Sequence, residues 1–135
     1  MTPNEPASSA TGRRVLIVDD SSLVRVYYRR ALEAVGFEVE QAINGIEAME
    51  KVLAQAFDLA IGDVNMPKMD GLSFVRLLRR NKSEAASLPV MIITTEAGKE
   101  DIDDARTAGA NFYLVKPVSE IDLVRYATML AGAPT

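Results

Sequence analysis

Val15-Leu16-Ile17-Val18-Asp19-Asp20, Leu59-Ala60-Ile61-Gly62-Asp63 and Phe112-Tyr113-Leu114-Val115-Lys116-Pro117 each set a charged group just past a run of β-forming residues. Apolar runs of this kind are what strands covered on both faces of a parallel sheet look like. If the three runs lie parallel in one sheet, three carboxylates and one ammonium converge at its carboxyl edge. Open α/β sheets bind their ligands at that edge.

Outward from these runs, strand-like and helix-like segments alternate five times, which predicts a parallel sheet with helices on both faces. Strand one is Val15 to Asp19. Ser21 and Ser22 are N-caps for a helix with Leu23, Tyr27, Ala31 and Ala34 on one stripe, stopped by Gly36. Glu38 to Ala42 alternates as an edge strand does, and Asn44-Gly45 turns into a second helix with Ile46, Met49, Leu53 and Ala56 on one face. Asp58 to Gly62 is strand three. Leu72 to Arg80 is helix three, with Leu72, Val75 and Leu78 inward. Pro89 to Ile93 is strand four. Lys99 to Ala108 is a polar fourth helix anchored by Ile102 and Ala105, and is expected to dock weakly. Asn111 to Val115 is strand five, and Ser119 caps a last helix with Ile121, Val124, Ala127 and Leu130 buried. Right-handed crossovers then favour an α/β, doubly wound, five-stranded flavodoxin-like sheet in the order 2-1-3-4-5, which sets strands one and three side by side.

Composition narrows the chemistry. The chain has 135 residues, 48% of them hydrophobic, which suits one domain: a loose Pro/Ser/Thr-rich tail over 1–12 and a folded domain over 13–132. With no His and no Cys, it cannot build a Ser/His/Asp triad, a thiol nucleophile, a zinc site of the usual ligands or a disulfide framework. Net charge is −4 without a basic stripe, which argues against direct nucleic-acid binding. No apolar run approaches the roughly 20 residues of a membrane span, and the first residues lack a signal-peptide pattern. A cytoplasmic location is expected.

Adjacent strands stand about 4.8 Å apart. Asp19, Asp20 and Asp63 would therefore repel one another by about 4 kcal/mol per pair at 4 Å and an effective dielectric of 20. A positive partner must offset this. Two or three oxygen ligands on a concave rim with room for water suit Mg²⁺, and Lys116 supplies a second cation from the other flank. Taken singly, each residue has a plainer reading. An Asp pair before Ser-Ser starts a helix, Asp63 is a loop carboxylate, Thr94 is a β-former, Tyr113 is a strand aromatic, and Lys116-Pro117 closes a strand. Together those readings need independent coincidences on one rim and leave the repulsion unanswered.

The ordered set Asp19-Asp20, Asp63, Thr94 and Lys116-Pro117 resembles the receiver domain of two-component response regulators, over nearly all of Arg14 to Ala131. Val18-Asp19-Asp20-Ser21-Ser22, Asp63-Val64-Asn65-Met66-Pro67-Lys68-Met69-Asp70-Gly71 and Thr94-Thr95-Glu96-Ala97 look most like the single-domain chemotaxis members. The resemblance implies that Asp63 accepts a phosphoryl group from a phosphohistidine on a histidine kinase or histidine phosphotransfer protein. It implies that Asp20, Asp63 and the Asn65 carbonyl bind Mg²⁺ directly with Asp19 helping through water, and that Lys116 and the Thr94 hydroxyl grip phosphoryl oxygens. Tyr113 matches the aromatic position that shifts as Thr94 is drawn to the phosphoryl group, altering a helix 4/strand 5/helix 5 face that meets a downstream protein.

Such a chain is a switch that catalyses its own phosphorylation and dephosphorylation, not an enzyme with a separate substrate. Asn65 and Glu96 match the pair that governs hydrolysis in the chemotaxis members, whereas Thr95 is larger than the residue many receivers carry and Val118 replaces an aromatic one. A phosphorelay intermediate or phosphate sink is chemically equivalent. A flavodoxin would want a Ser/Thr-rich loop where Asp19-Asp20 stand, and an aspartate-nucleophile phosphatase a second Asp at position 65.

Overall fold

Five strand-then-helix units close into one sheet in the computed structural model, which describes residues 12–134. The expected tail therefore lies, apart from Gly12, outside the described residues. The order is β1 (Arg14–Val18), α1 (Ser22–Glu33), β2 (Glu38–Ala42), α2 (Gly45–Ala54), β3 (Leu59–Gly62), α3 (Gly71–Arg79), a 3₁₀ turn (Glu84–Ser87), β4 (Val90–Thr94), α4 (Lys99–Ala108), β5 (Phe112–Val115) and α5 (Glu120–Ala131). All neighbouring strands are parallel, in the order β2-β1-β3-β4-β5. The doubly wound, flavodoxin-like architecture is as the sequence predicts.

Register decides what meets at the rim. Val18 pairs with Ala42 on one side and Gly62 on the other, so Asp19 and Asp63 leave the sheet abreast. Thr94 pairs with Val115, which brings Lys116 off the sheet beside them. Alternation along the strands splits the core into two layers. Leu16, Val18, Ala60 and Ile92 face α2 and α3, while Val15, Ile17, Ile61 and Ile93 face α1 and α5. Fully buried side chains such as Phe74, Leu78 and Leu123 each stabilise the fold by about 1.5–3 kcal/mol.

Three helix faces differ from the expectation. In α1, Tyr28, Ala31 and Leu32 are buried, while Leu23 is 82% exposed and Tyr27 and Ala34 are also exposed. In α2 the buried face is Ala48, Met49 and Val52, and the expected Ala56 lies past the helix end. In α5, Leu123, Ala127 and Ala131 are buried and Ile121 is 71% exposed. Each of these helices carries two apolar stripes about one residue apart, a rotation of some 100°, and packing on the twisted sheet selects the neighbouring one. In α3, Phe74 joins Val75 and Leu78 inside while Leu72 is only half-buried. Strand four starts one residue later than expected and ends on Thr94.

Ser21 and Ser119 cap their helices as expected, whereas Ser22 is already the first residue of α1 and Asp70 is a cap the sequence reading did not name. Ser21, Asn44, Asp70 and Ser119 each accept a backbone N–H with a side-chain oxygen, satisfying first-turn donors that have no helical partner. Helix α4 is the lightly held one, with only Ala105 and Ala108 buried. Its far end is fastened differently. Gly109 takes φ +115°, and Arg79 of α3 donates to the carbonyls of Gly109, Ala86 and Leu88 and to Asn111 Oδ1 over 2.7–3.0 Å. Among the described residues no helix is long and apolar enough to cross a membrane.

Candidate functional site

Each rim residue is still hooked to a neighbouring strand through its backbone. Asp19 N–H donates to the Ala42 carbonyl at 3.0 Å, Asp63 N–H to Val18 at 3.3 Å and Lys116 N–H to Thr94 at 2.8 Å. The side chains that follow are therefore placed by the sheet rather than by a free loop. Asp19, Asp63 and Thr94 are buried, at 2%, 8% and 0% exposure. Lys116 Nζ donates to Asp63 Oδ2 at 2.7 Å and to Asp19 Oδ2 at 3.4 Å. The other two oxygens are also held: Ser21 N–H donates to Asp19 Oδ1 at 2.8 Å, and Asn65 N–H to Asp63 Oδ1 at 3.2 Å.

Burial pushes the Asp19 carboxyl above its ordinary value; the Ser21 N–H and Lys116 oppose that push and the charge of Asp63 adds to it. Burial alone would lower Lys116, but its bond to Asp63 and the charges of Asp19 and Asp63 prevail and raise it. Lys116 is thus a firmly held ammonium. Of the three expected carboxylates, Asp19 and Asp63 share that ammonium. Asp20, at a bend next to buried Asp19, is exposed. Among the described residues no three acidic side chains gather closely enough to hold a metal between them. The repulsion anticipated at the rim is answered in the protein itself by Lys116.

The mouth is spanned by Glu96. Asn65 Nδ2 donates to Glu96 Oε2 at 3.2 Å, Glu96 N–H to Thr94 Oγ1 at 3.5 Å, and the Tyr113 hydroxyl to the Glu96 carbonyl at 2.6 Å. One residue therefore links the loop after β3, the end of β4 and the middle of β5. Two contributors escaped the sequence reading. Arg25 of α1 donates to the Asp19 carbonyl at 2.7 Å and to Gln41 Oε1 at 3.0 Å, fixing the turn that carries the acidic pair. Nothing in the local pattern marks it. Gly71 lies so close behind Asp63 that a Cβ there would fall 2.0 Å from the Asp63 carbonyl oxygen. The Asp70-Gly71 step was its only signal.

A carboxylate held open at a sheet edge, with an ammonium and a backbone N–H on its oxygens, has the makings of an oxygen nucleophile with charge-stabilising donors beside it. Residues 15–128 match the family model of the response regulator receiver domain. The chain belongs to that family. The receiver domain is 42% identical over 106 residues to chemotaxis protein CheY1 of Helicobacter pylori, covering 77% of this chain and 85% of that one. Its fold superposes on Vibrio cholerae chemotaxis protein CheY4 with a TM-score of 0.83 at 36% identity, covering 88% and 98% of the two chains. It is also similar to the receiver domain of the Pseudomonas aeruginosa sensor histidine kinase PA1611, a structure with magnesium coordinated in the active-site cleft, with a TM-score of 0.82 at 27% identity over 90% and 99%. Two larger curated relatives match as well, and the chain spans only 16% and 8% of their lengths. It is a CheY-like receiver domain of a response regulator.

Proposed function

We propose that this receiver domain takes a phosphoryl group onto Asp63 from the phosphohistidine of a histidine kinase or histidine phosphotransfer protein. An Asp63 carboxylate oxygen attacks phosphorus in line. The P–N bond breaks, the imidazole nitrogen keeps the electron pair and takes up a proton, and Asp63 becomes an acyl phosphate. The transition state is loose, with negative charge spread over three oxygens, so fixed cations and donors do most of the work. Lys116 and the Thr94 hydroxyl supply them. Attack of water at phosphorus releases inorganic phosphate and restores the carboxylate. The chain contains no His, so the donor is another molecule.

The donor set fits magnesium. Hard oxygens from Asp19, Asp20, Asp63 and the Asn65 carbonyl, on a rim open to water, suit an ion that keeps part of its hydration shell and takes one or two carboxylates plus phosphate oxygens. A closed cage of three protein carboxylates is not what such an ion requires. When bound, Mg²⁺ neutralises charge on the phosphoryl oxygens. The family likeness to CheY1 and CheY4 supports a role in chemotaxis through a downstream protein that meets α4, β5 and α5, in the cytoplasm.

The observation that carries this reading is the contact of Lys116 with Asp63 at the carboxyl edge, 2.7 Å long. The test is incubation with Mg²⁺ and acetyl phosphate followed by mass spectrometry. One phosphoryl group is expected on the wild type, none on Asp63→Asn and none with a chelator. Equal labelling of the variant would move the acceptor elsewhere. Similarity to a receiver domain within a sensor histidine kinase favours a second reading, a phosphorelay intermediate or phosphate sink. Rapid onward transfer from Asp63 to a second histidine protein would select it.

A further inference from the structure

Asp20 stands at an exposed bend, yet the backbone on either side of it is held. Ahead of it, the carbonyl of the Asp19–Asp20 peptide accepts from Arg25 Nη1 at 2.7 Å. A peptide unit is planar, so a carbonyl fixed in direction also fixes the Cα of the next residue. Behind it, the N–H of the Asp20–Ser21 peptide donates to Asp19 Oδ1 at 2.8 Å. Arg25 closes the turn a second time, its own N–H donating to the Ser21 carbonyl at 3.1 Å. Its Nε donates to Gln41 Oε1 at 3.0 Å, and Gln41 lies in β2, in register with Ile17 of β1. The guanidinium is thereby anchored to the sheet while it holds the rim.

We infer that Arg25 is a positioning residue for magnesium: it orients the peptide that carries Asp20 and so raises the affinity of the rim for the ion. The inference rests on the magnesium site proposed above. Mg²⁺ demands near-ideal octahedral geometry, and an exposed carboxylate owes its place to the backbone beneath it. Groups that orient a ligand from outside the coordination sphere change metal affinity by about 10–100-fold. Arg suits the task because its planar fork meets two acceptors at once, the Asp19 carbonyl and Gln41, where Lys would meet one. A purely electrostatic role has the opposite sign, since a fixed cation beside the rim repels Mg²⁺.

The test uses the full chain and follows Mg²⁺ by amide NMR titration, with acetyl phosphate labelling of Asp63 measured across the same range of Mg²⁺. Arg25→Met is expected to weaken Mg²⁺ binding about tenfold. Gln41→Leu keeps the charge of Arg25 and removes one of its two anchors, so a loss of about threefold is expected, the effect of one hydrogen bond. Arg25→Lys, which keeps the charge and can still reach the carbonyl, should match Gln41→Leu. In each variant the loss should appear as a shift in the Mg²⁺ concentration giving half-maximal labelling rather than in the maximal rate. Should Arg25→Met not fold, the other two variants decide.

Wild-type affinity in the variants, with Mg²⁺ binding intact in the wild type, overturns the inference and leaves the magnesium site standing. Tighter binding by Arg25→Met overturns it too, because the guanidinium then acts only as a repelling charge. So does a fall in maximal labelling without a shift along the Mg²⁺ axis, the mark of general damage to the fold. A wild-type chain with no saturable shift at residues 19–21 and 63–65 removes the magnesium site itself, and the inference with it.

Discussion

Lys116, at the end of edge strand β5, reaches across the end of β4 to place its ammonium 2.7 Å from Asp63, at the end of central strand β3. It serves Asp19 as well, at 3.4 Å. One cation thereby holds two buried carboxylates that the register of β1 and β3 forces abreast. Removing it should expose their repulsion. Lys116→Met is expected to lower stability by about 1–3 kcal/mol, less than for a fully enclosed pair because the rim meets water. Millimolar Mg²⁺ should restore most of the loss. Urea midpoints with and without Mg²⁺ check both halves, and a variant as stable as wild type in metal-free buffer would remove Lys116 from this role.

Gly71 sets a steric limit on the other side of Asp63. With a Cβ falling 2.0 Å from the Asp63 carbonyl oxygen, Gly71→Ala must displace the loop after β3. A cost of about 1–3 kcal/mol is expected, together with slower acetyl phosphate labelling of Asp63. Thermal unfolding and mass spectrometry read the two effects separately. Wild-type values in both would show that the loop yields freely.

The bond from the Tyr113 hydroxyl to the Glu96 carbonyl, 2.6 Å long, ties β5 to the loop that spans the site. Tyr113→Phe deletes it and is expected to cost about 1 kcal/mol, with faster amide exchange over residues 95–98. Exchange unchanged in that loop would show that Tyr113 does not hold it.

At alkaline pH, two groups act in the same direction. Burial, then the charges of Asp19, Asp63 and neighbouring Tyr27, raises Tyr28 in the folded chain, whereas an unfolded tyrosine titrates near 10. The unfolded state releases its proton first, so stability is constant below about pH 10 and falls as pH rises toward the folded value. Lys116 is also raised; its contribution is full below the unfolded lysine value and is lost as pH rises through the folded one. Urea midpoints should therefore drop as pH rises above about pH 10, and Tyr28→Phe should flatten that drop. A slope identical in the variant would exclude Tyr28 as a source.

Strand positions, sheet order and the rim residues were legible because buried parallel strands are short apolar runs whose ends carry the polar groups, and the register follows from their alignment. The helix faces were less so. In α1, the series Leu23, Tyr27, Ala31 and the series Tyr28, Ala31, Leu32 both satisfy the helical repeat, and only contact with the sheet distinguishes them. That Asp20 stands exposed at a bend while Asp19 beside it is buried is not something their adjacency in sequence carries. Arg25 stayed hidden since its partners, the Asp19 carbonyl and Gln41, lie on two strands that its own helix pattern says nothing about.

Arg79 has a mechanical consequence. By clasping the Gly109 carbonyl together with those of Ala86 and Leu88, it makes the final turn of α4 a fulcrum, while among the described residues the opening turn at Lys99 has no comparable tether. Any travel of this helix is then an arc whose amplitude grows toward Lys99 and vanishes near Gly109, so a small push on the Glu96 loop, delivered at the long end of the lever, moves the helix most where it is least restrained.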